Sequence, residues 1–504
     1  MNDDLMCTQL TSDHAVLQRN MPLPLCGAAA PGERVTIEFR GRQHRAAADT
    51  AGKWRIVLDP QESGGPDDLV ISTAAGRSVT VRDVLVGEVW VCAGQSNMAF
   101  ALKDATGGLA EAAQAQLPLL RLLTVPHVVA DQPCNKLPPT GWQACAPEAA
   151  ASFSAVGYYF GKHLVEKLDL PVGLIQAAIG ATPAESWVAR TALESDGDYR
   201  PILERWRRSL ACYPDPEQTY AKAFAEWDRA ADTAEREGRP IPGAHPKLIG
   251  PGHSWTPSGL FNGMIAPLTA FPIRGVIWYQ GAAAPERAHQ YRKVFRALIR
   301  DWRRAWGQGD FPFLFVQEAA FGPKRAEPCE HSWAELREAQ QMALAEPNTA
   351  MAVAVDVGAE KDIHPPDKKP VGDRLALLAR STVYHQHIPC TSPVVRAMTI
   401  DGPRVRLRFS HTYGRLLTSD SGPLKGFAIS GGATDFSRGN RGFVWAEAQI
   451  EGNDIVIWSH EVARPQAVRY AWAQNPTCNL INAAGIPAAP FRTDDWPGVT
   501  VSNL

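Results

Sequence analysis

The stretch "RGVIWYQGAAAPERAHQYRKVFRALIRDWRRAW", residues 274–306, changes its hydrophobic period partway along. The apolar run from Ile273 to Gln280 has the character of a strand covered on both faces. From Arg287 onward a new spacing begins. Tyr291, Val294, Phe295, Leu298, Ile299 and Trp302 fall at i, i+3, i+4, i+7, i+8 and i+11, one face of a helix. A buried strand feeding an amphipathic helix is half of a strand–helix–strand unit. The same pattern recurs across residues 86–385. Apolar runs "GEVWVCAG", "PVGLIQAAIG", "FPFLFVQ" and "MAVAVDVG" alternate with helical stretches such as "AVGYYFGKHLVEKL". This alternation predicts an α/β fold, a parallel sheet with helices on both faces. Ligands of such sheets bind beyond the carboxyl ends of the strands. The crossing at Ala282–Ala284 is therefore a place for chemistry, yet it holds three alanines.

Outward from this zone the pattern becomes β-rich. Residues 1–85 alternate with period two around Gly, Pro and Asp turns, which predicts a small β-sandwich. Residues 386–504 alternate again, with a hairpin expected around Gly452-Asn453-Asp454. Within the central zone residues 191–255 leave the alternation. A mostly polar helix over 217–240 is followed by a loop rich in Gly, Pro and His, which reads as an insertion that either overhangs the site or is a solvated excursion.

With 504 residues, 45% apolar and 21% charged, the chain can build a large core in more than one domain. Its net charge of −2, without a basic block, argues against nucleic acid and anionic membranes as partners. No apolar run approaches the length of a membrane span. The N-terminal "MNDDLMCTQL" lacks the basic and apolar regions of a signal peptide. The compartment stays open between cytoplasm and, with a removed leader, periplasm or exterior. The nine cysteines form no C-x-x-C pair, so no metal site is expected of them; Cys134 and Cys145 are a candidate disulfide.

The strongest local signal is "GEVWVCAGQSNMAF". A serine just past a strand, at a helix start, has an exposed hydroxyl and a free backbone N–H that can bind an oxyanion. Ser96 can also be read as a simple helix cap. In its neighbourhood "GQSNM" resembles the nucleophile block of SGNH hydrolases. More narrowly, the chain resembles the sialate O-acetylesterase-like carbohydrate esterases over nearly its whole length. The likeness runs through "PVGLIQAAIGATPAESW", "FNGMIAPL", "RGVIWYQG", "DIHPPDKKPVGDRLALLA" and the closing "VRYAWAQNPTCNLINAAGIPAAPFRTD".

The resemblance implies an SGNH, flavodoxin-like three-layer catalytic domain and removal of O-acetyl groups from sugars, with no metal or organic cofactor. It implies Ser96 as nucleophile and His364 as base. The imidazole would be oriented by Asp362, with Asp356 at the preceding strand end as the alternative. Many SGNH enzymes carry Asp-x-x-His; Asp362-Ile363-His364 is one residue shorter. The other twelve histidines lack this context; His253, in the inserted segment, is the one other candidate. The oxyanion donors would be the backbone N–H groups of Ser96 and Gly180. Relatives commonly have a second glycine where Ala181 stands, and a glutamate and an asparagine where Ala282 and Ala284 stand. The missing asparagine amide leaves Gln280 and Asn262 as side-chain substitutes, and it opens an alternative: an impaired or alanine-substituted relative that binds acetylated glycan without efficient turnover. Trp187 and Trp255 are the candidate sugar-stacking residues, whereas Trp278, inside an apolar strand, reads as core.

Overall fold

The computed structural model describes residues 5, 10–211, 215–236, 250, 252–432 and 441–503. Its central element is a single strand of 17 residues, β1 (Ser78–Gly94). Beside it lie β2 (Leu117–Thr124), β3 (Val172–Ala178), β4 (Gly275–Tyr279), β5 (Phe313–Gln317) and β6 (Thr349–Val353). Their order is β6-β5-β4-β1-β3-β2, and every pair among them is parallel. An antiparallel edge strand, Gln143–Cys145, closes the β2 side. Leaving β2 aside, the five strands β1, β3, β4, β5 and β6 take the order second-first-third-fourth-fifth. Chain direction across the sheet therefore reverses at β1, where ligand crevices of doubly wound sheets open.

Helices cover both faces, as the alternating pattern predicted. On β1, Val89, Val91 and Ala93 pack into the same core as Tyr291, Val294, Phe295, Leu298, Ile299 and Trp302 of α2 (Ala288–Trp306). The intervening Trp90 and Cys92 point the other way, into a core with α1 (Ala155–Leu168) and α4 (Lys369–Thr382). All six residues of the predicted α2 face are buried. Each such side chain contributes at most roughly 1.5–3 kcal/mol by leaving water. At the end of α2, Gly307 takes a left-handed φ of 65°, the common C-terminal stop.

The N-terminal half of β1 belongs to a different neighbourhood. It pairs antiparallel with Gly64–Thr73, which pairs with Arg34–Phe39. There Val35, Ile37 and Phe39 are buried while Arg34 and Glu38 are exposed, the alternation of a half-covered strand. The expected division at residue 85 thus lies within one continuous strand. Downstream, Val394–Asp401, Arg404–Ser410, Asp454–Trp458 and Glu447–Glu451 form an antiparallel sheet, and the hairpin turns at Gly452-Asn453. This region is tied to the central one by Arg337 of α3 (Ser332–Met342). Its buried guanidinium donates to the carbonyls of Glu318, Ala319, Ala473 and Gln474.

The segment expected as an insertion forms helices Arg190–Glu194, Arg200–Ala211 and Pro216–Arg236. Much of the loop that follows lies outside the described residues. Cys134 and Cys145 are both free thiols, so the candidate disulfide is not formed. Among the described residues no helix is long and apolar enough to cross a membrane.

Candidate active site

Strand register brings three loops level. Gly94 pairs with Ala178 of β3 and with Tyr279 of β4. Ser96, Gly180 and Gly281 each stand two residues beyond that row, so they emerge side by side at the carboxyl edge. Gly94 has φ 138°, and a Cβ there would lie 2.2 Å from the Tyr279 carbonyl oxygen. Only glycine fits both the conformation and the space. The chain then turns into the short helix Ser96–Ala99, whose cap position is Gln95 rather than Ser96. Ser96 is therefore not serving as a cap.

The Ser96 hydroxyl meets His364, whose Nε2 lies 2.8 Å from Oγ. These residues are far apart in sequence; the sheet topology brings His364 over β1 on the loop that follows β6. Gly180 approaches Ser96 so closely that a Cβ would stand 3.4 Å from the Ser96 Cβ. Among the described residues neither the Ser96 nor the Gly180 N–H has a hydrogen-bond acceptor. Next in the chain, Ala181 has φ 56°, left-handed geometry that glycine adopts without strain.

Asp362 accepts the His364 backbone N–H at 2.8 Å through Oδ1, and the same oxygen lies 3.4 Å from His364 Nδ1. Its carboxylate is beside the imidazole but open to solvent. The alternative acid, Asp356, is engaged by both terminal nitrogens of Arg374 at 2.7 and 2.6 Å. Its carboxylate is committed to that pairing, and Asp362 is the acid with an oxygen at His364 Nδ1.

Three expectations need correction. Trp187 is fully buried, donates Nε1 to Thr182 Oγ1 at 3.0 Å and packs edge-on against Trp278. It is core and offers no face to a sugar. Gln280 donates Nε2 to the Thr182 carbonyl at 3.1 Å, while its Oε1 accepts the Tyr291 hydroxyl. Asn262 donates Nδ2 to the Ala130 carbonyl at 3.0 Å. Both amides are buried in structural bonds, so neither is a ready replacement for the absent asparagine. Trp255 differs from Trp187. Half-buried, it donates Nε1 to the Ala181 carbonyl at 2.6 Å, next to Gly180. His253 accepts the Trp255 backbone N–H through Nδ1 and shapes that turn.

The alanine stretch is a tight loop. Ala282 donates its N–H to Glu318 Oε1 at 3.0 Å, and Ala284 is buried at the start of the turn Pro285–Arg287. Glu318, one residue past β5, is wholly buried, and burial pushes its carboxyl up to about 7. Lys368, also buried, has its ammonium pushed down to about 7 by desolvation, which the carboxylates of Glu318 and Asp362 partly oppose. Lys368 donates to Asn97 Oδ1, and Asn97 Nδ2 donates to the Ile363 carbonyl at 3.1 Å. Sequence reasoning passed over Glu318, Lys368 and Asn97. An acid directly after an apolar strand was a signal for Glu318; a lysine inside "PDKKP" gave none.

Known proteins share the sequence and fold of this chain over most of its length. The family model described as carbohydrate esterase, sialic acid-specific acetylesterase, matches residues 86–218 and 252–378, its gap falling within the inserted segment. A crystal structure of a carbohydrate acetylesterase from Xanthomonas citri superposes with a TM-score of 0.81 at 34% identity, covering 97% of this chain and 99% of that one. The sialate O-acetylesterase of Pongo abelii is 30% identical over 94% of this chain and 90% of its own length. That of Mus musculus is 28% identical over 92% and 90%. A serine–histidine contact at the carboxyl edge of a parallel sheet and matches over most of the chain's length converge: the chain belongs to the sialic acid-specific acetylesterase family of carbohydrate esterases, and it is a carboxylic ester hydrolase.

Proposed function

We propose that the protein removes acetyl groups from sugars through an acetyl-enzyme on Ser96, within an SGNH-type catalytic domain over residues 86–385 flanked by β-rich regions over 1–85 and 386–504. The observation that carries this reading is the 2.8 Å contact between Ser96 Oγ and His364 Nε2 beside Gly180. In the first step Oγ attacks the acetyl carbonyl and its proton passes to His364 Nε2. The carbonyl oxygen becomes an oxyanion held by the N–H groups of Ser96 and Gly180. The intermediate collapses, the sugar oxygen leaves, and His364 returns the proton to it. Water then attacks the acetyl-Ser96 carbonyl, giving its proton to His364. Collapse frees acetate as the proton returns to Oγ. Asp362, with Oδ1 3.4 Å from Nδ1, orients the imidazole with Nε2 toward the serine.

The alanine stretch gives the second reading its one support. Without an amide at Ala284 the oxyanion hole has two backbone donors, and a lost side-chain donor typically costs on the order of 100–1000-fold. That slows an esterase without abolishing it, and the intact Ser96–His364 contact favours turnover over mere binding. The substrate class is acetylated glycan, either plant polysaccharide or O-acetyl sialic acid. Acetate release from acetylated xylan, xyloglucan, pectin and O-acetyl sialic acid, measured with wild type and Ser96→Ala, tests both. Turnover is expected on at least one of them, with an acetyl adduct on Ser96 detectable by mass spectrometry. Equal rates for wild type and Ser96→Ala would overturn the serine mechanism.

A further inference from the structure

The loop carrying His364 is exposed at its tip, and Asp362 lies on the same loop, so neither explains what holds the imidazole over β1. The anchor lies beneath, on the residue that follows the nucleophile. Asn97 is buried, and its amide is engaged from both sides of His364. Its Nδ2 donates to the carbonyl of Ile363, directly before the histidine, at 3.1 Å. Its Oδ1 accepts from Lys368, four residues after it. A third bond, Thr106 N–H to the Pro366 carbonyl at 2.9 Å, secures the stretch between.

An asparagine amide presents an acceptor at one end and donors at the other, and rotation by half a turn exchanges them. Flipped, Asn97 would oppose its oxygen to the Ile363 carbonyl, acceptor against acceptor. In its charged form Lys368 is a donor with no acceptor capacity, so its ammonium can face only the amide oxygen. A lysine with 1% exposure is costly to bury and would serve packing no better than methionine. Its surroundings suit a cation: Nζ lies 4.7 Å from the Phe100 ring centroid and 5.7 Å from that of Tyr279.

We propose that Lys368 is a positioning residue, which by donating to Asn97 Oδ1 fixes the orientation of that amide, so that Asn97 grips the Ile363 carbonyl and keeps His364 Nε2 on Ser96. This rests on the serine reading above. Because the effect passes through Asn97, the two residues form one unit, and units are non-additive.

The test is a double-mutant cycle of Lys368→Met, Asn97→Ala and the double variant, read as kcat and KM on p-nitrophenyl acetate, with thermal unfolding as a folding control. Each single variant is expected to lower kcat by about tenfold to 100-fold with KM changed less than about twofold, since a misplacement of about 1 Å carries that cost. The double variant is expected to be no slower than the slower single. Losses that multiply, or wild-type kcat in folded Lys368→Met, would overturn the proposal. If Lys368→Met does not fold, Asn97→Ala alone decides: wild-type kcat there overturns it, and a fall in kcat at constant KM and Tm supports it. Ser96→Ala runs alongside. Activity persisting in Ser96→Ala would defeat the serine reading itself, whereas an inactive Ser96→Ala with a multiplicative cycle defeats the Lys368 role alone.

Discussion

Replacing Asp362 by Asn removes one charge and leaves an oxygen in the same position. The Asn oxygen can still accept the His364 N–H, a bond of 2.8 Å in the wild type, so the turn should persist. What is lost is attraction between a carboxylate and the imidazolium that forms as Ser96 is deprotonated. At the 3.4 Å separation of Nδ1 and Oδ1, Coulomb's law gives about 1 kcal/mol in bulk water and about 5 kcal/mol at an effective dielectric of about 20. Side-chain exposures of 38% for His364 and 59% for Asp362 put the pair near the aqueous limit. We therefore expect a loss of about 1–2 kcal/mol of transition-state stabilisation, about 5- to 30-fold in kcat. A buried triad aspartate typically costs about 10,000-fold on the same change. The assay is initial-rate acetate release at saturating substrate. A loss of about 1000-fold or more would mean that Asp362 works from a desolvated setting. A change under about twofold would mean that it does not support the imidazole at all. Asp356→Asn is the companion variant, expected within about threefold of wild type because Arg374, not His364, receives its charge.

Three further outcomes are expected. Ala284→Asn, supplying the amide that the family resemblance implies at this position, should raise kcat by on the order of 10- to 100-fold; an unchanged kcat in a folded variant would remove Ala284 from the oxyanion hole. Trp255→Ala should raise KM for acetylated polysaccharide by about tenfold while sparing p-nitrophenyl acetate, as expected when an aromatic platform for sugar is lost; equal effects on both would place Trp255 outside substrate recognition. Glu318 concerns stability against pH. Its folded pKa of about 7 exceeds the ordinary carboxyl value of 4.5, so the folded state holds the extra proton between those values and wild-type stability drains away as pH rises through that window. Glu318→Gln should flatten that fall, seen as a smaller drop in Tm between pH 5 and pH 8; an identical drop would show that Glu318 is not the group responsible.

Much of this was legible in the sequence because it rests on period and on order along the chain. The face Tyr291 to Trp302 is a spacing of 3.6 residues, and it forms one buried stripe as read. Ser96 was legible as a residue just beyond a strand end, and His364 through the resemblance of its loop, "DIHPPDKKP", to a block of the family. What escaped depended on partners remote in sequence. Trp187 and Trp255 look alike as tryptophans near site segments. Packing against Trp278 helps bury the first, whereas the second bonds the Ala181 carbonyl beside Gly180. Gln280 carries the right amide at the right strand end, but Thr182 and Tyr291 claim it. Lys368 sits among charges that local composition assigns to solvent, yet its chain turns inward beneath the histidine loop.

The continuity of β1 has a mechanical consequence. One end of this strand is stitched into the N-terminal β-region and the other delivers Ser96, with no linker between. A hinge at that junction would have to break ladder hydrogen bonds, so the β-region cannot swing as an independent module. It acts as a rigid shank for Ser96. Protease nicking near residue 85 should be slow in the native enzyme. A truncation starting at residue 86 would remove half of the strand that seats Ser96.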